Sequence, residues 1–405
     1  MSIEKEFDFP DPGDLQFLQW QNTSPSFKWF YTPHRCIFIF IFILFFLIIQ
    51  PSDPLYQLYS FWFISTFFIA TCVQDGPLVR PHPFFWRFVL GFTIVLIFTI
   101  LSCCFLGRDI IRSYLVKITP KMAGDIPPDR DYSMSCTIYD KNHPTDPFHN
   151  VKTVVYDEFM AAHFFGWICK SILLRDTSMC WILSCSFEVV ERSLKHWFPN
   201  FNECWWDSLI LDVLLCNGFG IFIGMKLVNY LIVVPWETRL LCEFKTNEEK
   251  LARMLKQFTP RSYSKFEWKP LVSLKRYCIF VFVMLVILLL ELNLFSLKMV
   301  LKMKTQNVIL IILVMVHVLI GAPSIFEMYL YATNVKNTIG IYAEANIILI
   351  LSESLLIWKC SDGYFVEKVP LVSKIVAFSA LALIVGFPIV WFGILKKEKK
   401  KMKNE

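Results

Sequence analysis

Between His163 and Gly224 the chain places His163, Glu188, Glu191, Asp207, Asp212 and Asn217 inside or beside apolar runs. An ionised side chain at bilayer depth costs from about 3 to well over 10 kcal/mol unless water, a cation or a partner relieves it, so this concentration of acids calls for a shared cause. In the segment MCWILSCSFEVVERSLKHWF, Ser184, Glu188, Glu191 and Lys195 fall four, three and four residues apart and share one helix face. Two carboxylates one turn apart in a low dielectric repel, unless one takes up a proton or both bind a cation. A divalent ion keeps both ionised. Oxygen donors without a cysteine pair or histidine cluster favour calcium or magnesium over zinc.

Two acids are too few ligands. The next apolar run, opened by Trp205 and Trp206, offers Glu203 and Asp207 at its mouth and Asp212 and Asn217 deeper. On a straight α-helix Asp212 lies roughly 140° round from Asp207, which selects Asp212 as the third ligand and leaves Asp207 peripheral. The competing use of Glu188 and Glu191 is interhelical bonding to Lys195, Arg175 or Lys170. Gly218, Gly220 and Gly224 form a small-residue face suited to close helix packing or to a lipid chain. His163, in AAHFFGWICK, is either a bonded structural group or a base or nucleophile serving the acids.

The elements that must hold these residues are membrane helices. The 405 residues are 55% hydrophobic and 17% aromatic, with mean hydropathy +0.49, outside the composition of soluble domains. The reading is an all-α polytopic membrane protein with about ten crossings around a polar cavity: 36–50, 55–72, 86–106, 209–233, 277–297, 307–329, 340–358 and 373–395, with the more polar 159–174 and 179–198. No cleavable signal peptide is expected, so the first span acts as its own anchor. An even count puts both termini on one side. The basic loop 235–276 and the tail 396–405 mark that side as cytosolic, with 1–35 beside them; Lys298, Lys302 and Lys304 run against this assignment. The stretch 107–157, rich in proline and polar residues, is expected to cap one membrane face, and loop 192–208 falls toward the lumen. The thirteen cysteines are scattered with no CxxC pair, so neither a disulfide framework nor a zinc site is expected. The net charge of +6 suits anionic headgroups, and nothing indicates nucleic acid.

Four segments, HFFGW, CWILSCSFEVVE, PNFNECWWDSLILDVLLCNGFGI and RPHPFFWR, together resemble the eukaryotic phosphatidylserine synthases of the base-exchange type over most of the chain. The resemblance implies an endoplasmic reticulum transferase that replaces the choline or ethanolamine of a phospholipid with L-serine, using calcium and no nucleotide. It implies His163 as catalytic base, Glu188, Glu191 and Asp212 as calcium ligands, and less defined substrate-binding or supporting roles for Asn200, Glu203, Asp207 and Asn217, to which Lys170 and Arg175 are added as neighbouring cations. It also implies a lipid-sensing region in which Arg80 and Arg87 hold product; the alternative is that both anchor a span end. The closing KMKNE is similar to a dilysine retrieval signal, or is a basic tail meeting headgroups. The expected partners are the phospholipid and serine, with a homodimer as the assembly considered.

The reaction fits the residues. A serine hydroxyl attacking a phosphodiester must lose its proton while charge on the phosphoryl oxygens is neutralised. Exchange of one phosphodiester for another is near thermoneutral, so no P-loop is needed. A CDP-alcohol phosphotransferase lacks its DxxDG signature here, and a membrane-bound acyltransferase would not call for the EVVE pair. A cation channel or transporter would use Glu188, Glu191, Asp212, Glu291, Glu344 and Glu353 as an ion path, but repeated halves are not visible. Glu291, Glu344, Glu353 and His317 are read as interhelical or cavity-lining groups.

Overall fold

The computed structural model describes residues 54–73, 75–78, 83–122, 130–233, 244–257 and 266–395. The expected first span 36–50, the 1–35 segment, Arg80, most of the 235–276 loop and the 396–405 tail lie outside these residues. The described residues are all-helical and contain no strand. In order they form α1 Pro54–Cys72, α2 Pro83–Cys103, α3 Arg108–Ile118, α4 His149–Val155, α5 Glu158–Leu174, α6 Thr177–Leu194 and a π-helix, Asp207–Asn217, that runs directly into α7 Gly218–Val233. There follow α8 Asn247–Gln257, α9 Leu274–Val300, α10 Val308–Ala332, α11 Ile341–Cys360 and α12 Leu371–Pro388, which continues as π-helical Ile389–Leu395.

Six helices among the described residues are long and apolar enough to cross a bilayer: Phe84–Cys103, Asp207–Tyr230, Leu274–Val300, Val308–Ala332, Ile341–Cys360 and Leu371–Gly393. The chain is a multi-pass membrane protein. The described residues thus hold six such helices where about ten crossings are expected, and one of the ten, 36–50, lies outside them. The three remaining described candidates, α1, α5 and α6, are helical where expected but are shorter or richer in polar and tyrosine side chains than the six.

Two compact units are interleaved along the chain. In the first, comprising residues up to Thr119, 230–264 and 311–356, α1 and α2 approach so closely that a Cβ on Gly91 would lie 2.6 Å from the Thr66 carbonyl oxygen. Trp86 and Leu90 pack with Ile320, Tyr342 and Ala345. Glu327 accepts the backbone N–H of Ala343 at 2.9 Å and so satisfies a free donor in the first turn of α11. Deeper between the same helices, His317 Nε2 meets Glu353 Oε1 at 2.7 Å, both fully or nearly buried. His317 and Glu353 are therefore interhelical, as read from sequence.

The second unit, residues 120–229, 265–310 and 357–405, holds the acids. Helix α5 starts on Asp157, whose carboxylate accepts from Phe159 N–H, and stops at Arg175, which takes the left-handed conformation at φ 55°. Asp176 then caps α6 by accepting from Met179 N–H at 2.9 Å. The Leu174 carbonyl, orphaned at the end of α5, receives the indole N–H of Trp268 at 3.2 Å. Helix α6 buries a stripe at helical period, Met179, Cys180, Leu183, Ser184, Phe187, Glu188 and Glu191, so its polar triplet points inward with its core. The Gly220 and Gly224 face is a packing surface for α5: a Cβ on Gly220 would stand 2.7 Å from the Phe164 carbonyl oxygen, and one on Gly224 would stand 2.6 Å from Ser171 Cβ.

Candidate active site

Glu188 and Glu191 face inward from α6 with Ser184 beside them, as their spacing requires, all three buried. Lys195 departs from that face. Helix α6 ends at Leu194 and Lys195 is exposed. Lys170 instead pairs with Glu291 at 2.8 Å, and the Arg175 guanidinium sits 4.4 Å over the Phe266 ring. The bonding partner of Glu188 is a hydroxyl: Ser208 Oγ donates to Glu188 Oε2 at 2.7 Å. The other oxygen, Glu188 Oε1, and Glu191 Oε2 are buried without a hydrogen-bond partner. Such orphaned acceptors in a low dielectric mark a place where a positive group belongs.

The third carboxylate is Glu203. Its oxygen and those of Glu188 and Glu191 lie within 4.8 Å of one another, whereas the sequence pointed to Asp212 for this place. Glu203 lies in the turn before the π-helix, so no helical periodicity ties it to α6. Asp212 joins the group through a hydrogen bond with the Glu203 carboxyl. Burial first, and then the charges of Asp207 and Glu188, pushes Glu203 well above the ordinary carboxylate range.

The separation of Asp207 from Asp212 is overturned. The 140° offset holds for an α-helix, but residues 207–217 are π-helical, and in that wider turn residue i+5 returns over residue i. Asp207 and Asp212 therefore come to the same side of the helix, and Asp207, Asp212 and Asn217 are all buried. The five-residue spacing D-x4-D was visible in the sequence, but only a π-helix gives it meaning.

One cavity is lined by His163 from α5, Glu191 from α6, Asn200 and Glu203 from the connecting turn, and Asp207 and Asp212 from the π-helix. Asn217 lies close enough to His163 to act on it; its Nδ2 donates to Ser184 Oγ at 2.9 Å, and its buried amide oxygen makes no hydrogen bond.

A disulfide joins Cys136 to Cys204, the neighbour of Glu203, across 68 residues; no disulfide framework was expected, and this single bridge was not foreseen. Spacing could not reveal it, because both cysteines stand in polar connections that only the fold brings together. Around it Asn202 Nδ2 donates to both Asp131 carboxylate oxygens, at 3.1 and 3.0 Å, and Trp206 Nε1 donates to the Cys136 carbonyl at 3.1 Å. Tyr132 donates to Asp157 at 2.8 Å. Burial and this carboxylate raise the Tyr132 hydroxyl above its ordinary value and keep it protonated. Part of the 107–157 stretch is in this way tied to the cavity rim. In the other unit, Arg87 is buried in an ion pair with Asp75.

Residues 81–361, more than half of the chain, match the profile of the family described as Phosphatidyl serine synthase. Phosphatidylserine synthase 2 of Danio rerio is 38% identical over 67% of this chain and 61% of its own length. Phosphatidylserine synthase 2 of Homo sapiens is 43% identical over 52% of this chain and 43% of its own length. A relative from Oryza sativa, CDP-diacylglycerol–serine O-phosphatidyltransferase 2, is 30% identical over 84% of this chain and 82% of its length. The chain thus spans about half the length of the animal relatives it matches.

Proposed function

Because the chain belongs to the phosphatidylserine synthase family, we propose that it makes phosphatidylserine by calcium-dependent base exchange, replacing the choline or ethanolamine of a phospholipid with L-serine. One observation carries this reading: His163 opens onto the same cavity as a carboxylate cluster in which two buried oxygens, Glu188 Oε1 and Glu191 Oε2, lack donors. The donor set fits a hard cation, being all carboxylate with no thiolate, and Glu188, Glu191 and Glu203 would hold it with Asp212 in support. Bound there, calcium would supply positive charge to the phosphoryl oxygens as negative charge gathers on them.

In this scheme His163 takes the proton from the serine hydroxyl as that oxygen forms a bond to phosphorus. The bond from phosphorus to the headgroup oxygen breaks, and the imidazolium returns its proton to the departing alcohol. Asn217 orients the ring. Asn200 and Asp207 line the cavity wall where substrate enters. The endoplasmic reticulum membrane, with both termini cytosolic and the 192–208 loop lumenal, is the proposed setting. A disulfide beside that loop suits an oxidising lumen.

The reading is tested with purified protein and labelled serine in vesicles of phosphatidylcholine or phosphatidylethanolamine, without CTP or CDP-diacylglycerol. Serine enters lipid in at least one vesicle type, a calcium chelator abolishes this, and His163→Ala and Glu188→Gln each lower the rate about 100-fold or more. Incorporation only when CDP-diacylglycerol is added, the donor in the rice relative's name, would refute exchange. Activity surviving both substitutions would refute the site.

A further inference from the structure

The Lys170–Glu291 pair is left unexplained by the chemistry above. Lys170 Nζ lies 2.8 Å from Glu291 Oε1, joining α5 to α9, with side chains 24% and 14% exposed. The ammonium also stands 4.2 Å from the Trp167 ring centroid. Lys170 follows His163 by seven residues, two turns along the same face of α5, and side chains on a helix lean toward its N-terminus, so the ammonium leans back toward the imidazole. The pair lies outside the cavity lining but within electrostatic reach of it: Lys170 acts on His163, and Glu291 acts on Glu191.

A cation and an anion side by side at largely buried positions match a zwitterion. A phosphodiester would meet the Glu291 charge and be repelled. The geometry points to Lys170 and Glu291 as the pair that receives the free amino acid, Glu291 taking its α-ammonium and Lys170 its α-carboxylate, with the hydroxyl left toward His163. This rests on the exchange reading and adds a selectivity element to it. The released choline or ethanolamine also carries an ammonium but has no carboxylate. Glu291 then serves every base, and Lys170 serves serine alone.

Exchange runs in both directions, so whichever base the wild-type protein releases can be supplied in labelled form beside labelled serine at equal concentration. The readout is the ratio of serine to released base entering lipid, which does not depend on how much protein is folded. Lys170→Gln lowers this ratio at least tenfold and Lys170→Arg restores most of it, whereas Glu291→Gln lowers both incorporations together. The double variant Lys170→Gln with Glu291→Gln, which leaves no buried charge unpaired, keeps the lowered ratio. An unchanged ratio in Lys170→Gln, whether or not total activity falls, shows a purely structural ion pair and overturns the assignment. A wild-type protein that incorporates neither base overturns the exchange reading itself, and the assignment with it.

Discussion

Glu203, in the connection outside the spans, is one acid through which pH acts on the site. Its carboxyl is raised from the ordinary 4.5 to about 8 by burial and by the neighbouring acids. Between those values the folded chain holds a proton that the unfolded chain has lost, so stability of the metal-free protein falls as pH rises through this window. A cation bound by the ionised carboxylates reverses the trend. Thermal unfolding in detergent is therefore expected to show a calcium-induced rise in Tm that is larger at pH 8.5 than at pH 6, and Glu203→Gln should remove most of the difference. Equal calcium shifts at the two pH values would count against Glu203 as a ligand.

At the scale of elements, the site depends on how closely α5 lies against the helix that follows the π-segment. Gly220 has no room for a methyl group, with the Phe164 carbonyl oxygen and Trp167 Cβ each 2.7 Å from its ideal Cβ. Because α5 also carries His163, Gly220→Ala should cost about 1–3 kcal/mol of stability and, under the proposed mechanism, lower the exchange rate by moving His163. Gly166, with nothing within 4 Å of its ideal Cβ, is the control: Gly166→Ala should leave Tm unchanged or raised. Similar losses from both substitutions would show that the α5 contact does not position the base.

For the whole molecule, the Cys136–Cys204 bond closes a loop of 68 residues, and a loop of that length is worth about 4 kcal/mol in chain entropy. It tethers the turn bearing Glu203 to the 107–157 stretch. Thiol labelling under denaturing conditions should find Cys136 and Cys204 blocked until a reductant is added, while cysteines such as Cys72, Cys185 and Cys278 react without it. Reduction, or the double change Cys136→Ser with Cys204→Ser, should lower Tm and shrink the calcium shift. Both cysteines reacting freely in the unreduced protein would remove the tether.

The sequence alone determined the helical membrane class and the inward face bearing Ser184, Glu188 and Glu191, and it set a histidine nearby in the chain, because a 3.6-residue period and the cost of charge in hydrocarbon act locally. It also carried the family resemblance, through motifs that span most of the chain. Tertiary structure decided what local rules cannot reach. Glu203 enters the cluster from a turn, the π-helix brings Asp207 and Asp212 to one side, Cys204 finds Cys136 across 68 residues, and Lys170 is drawn to Glu291 rather than to the acids of α6. Each of these is a pairing between residues far apart in sequence or on an irregular backbone, where spacing along the chain says nothing about distance in space.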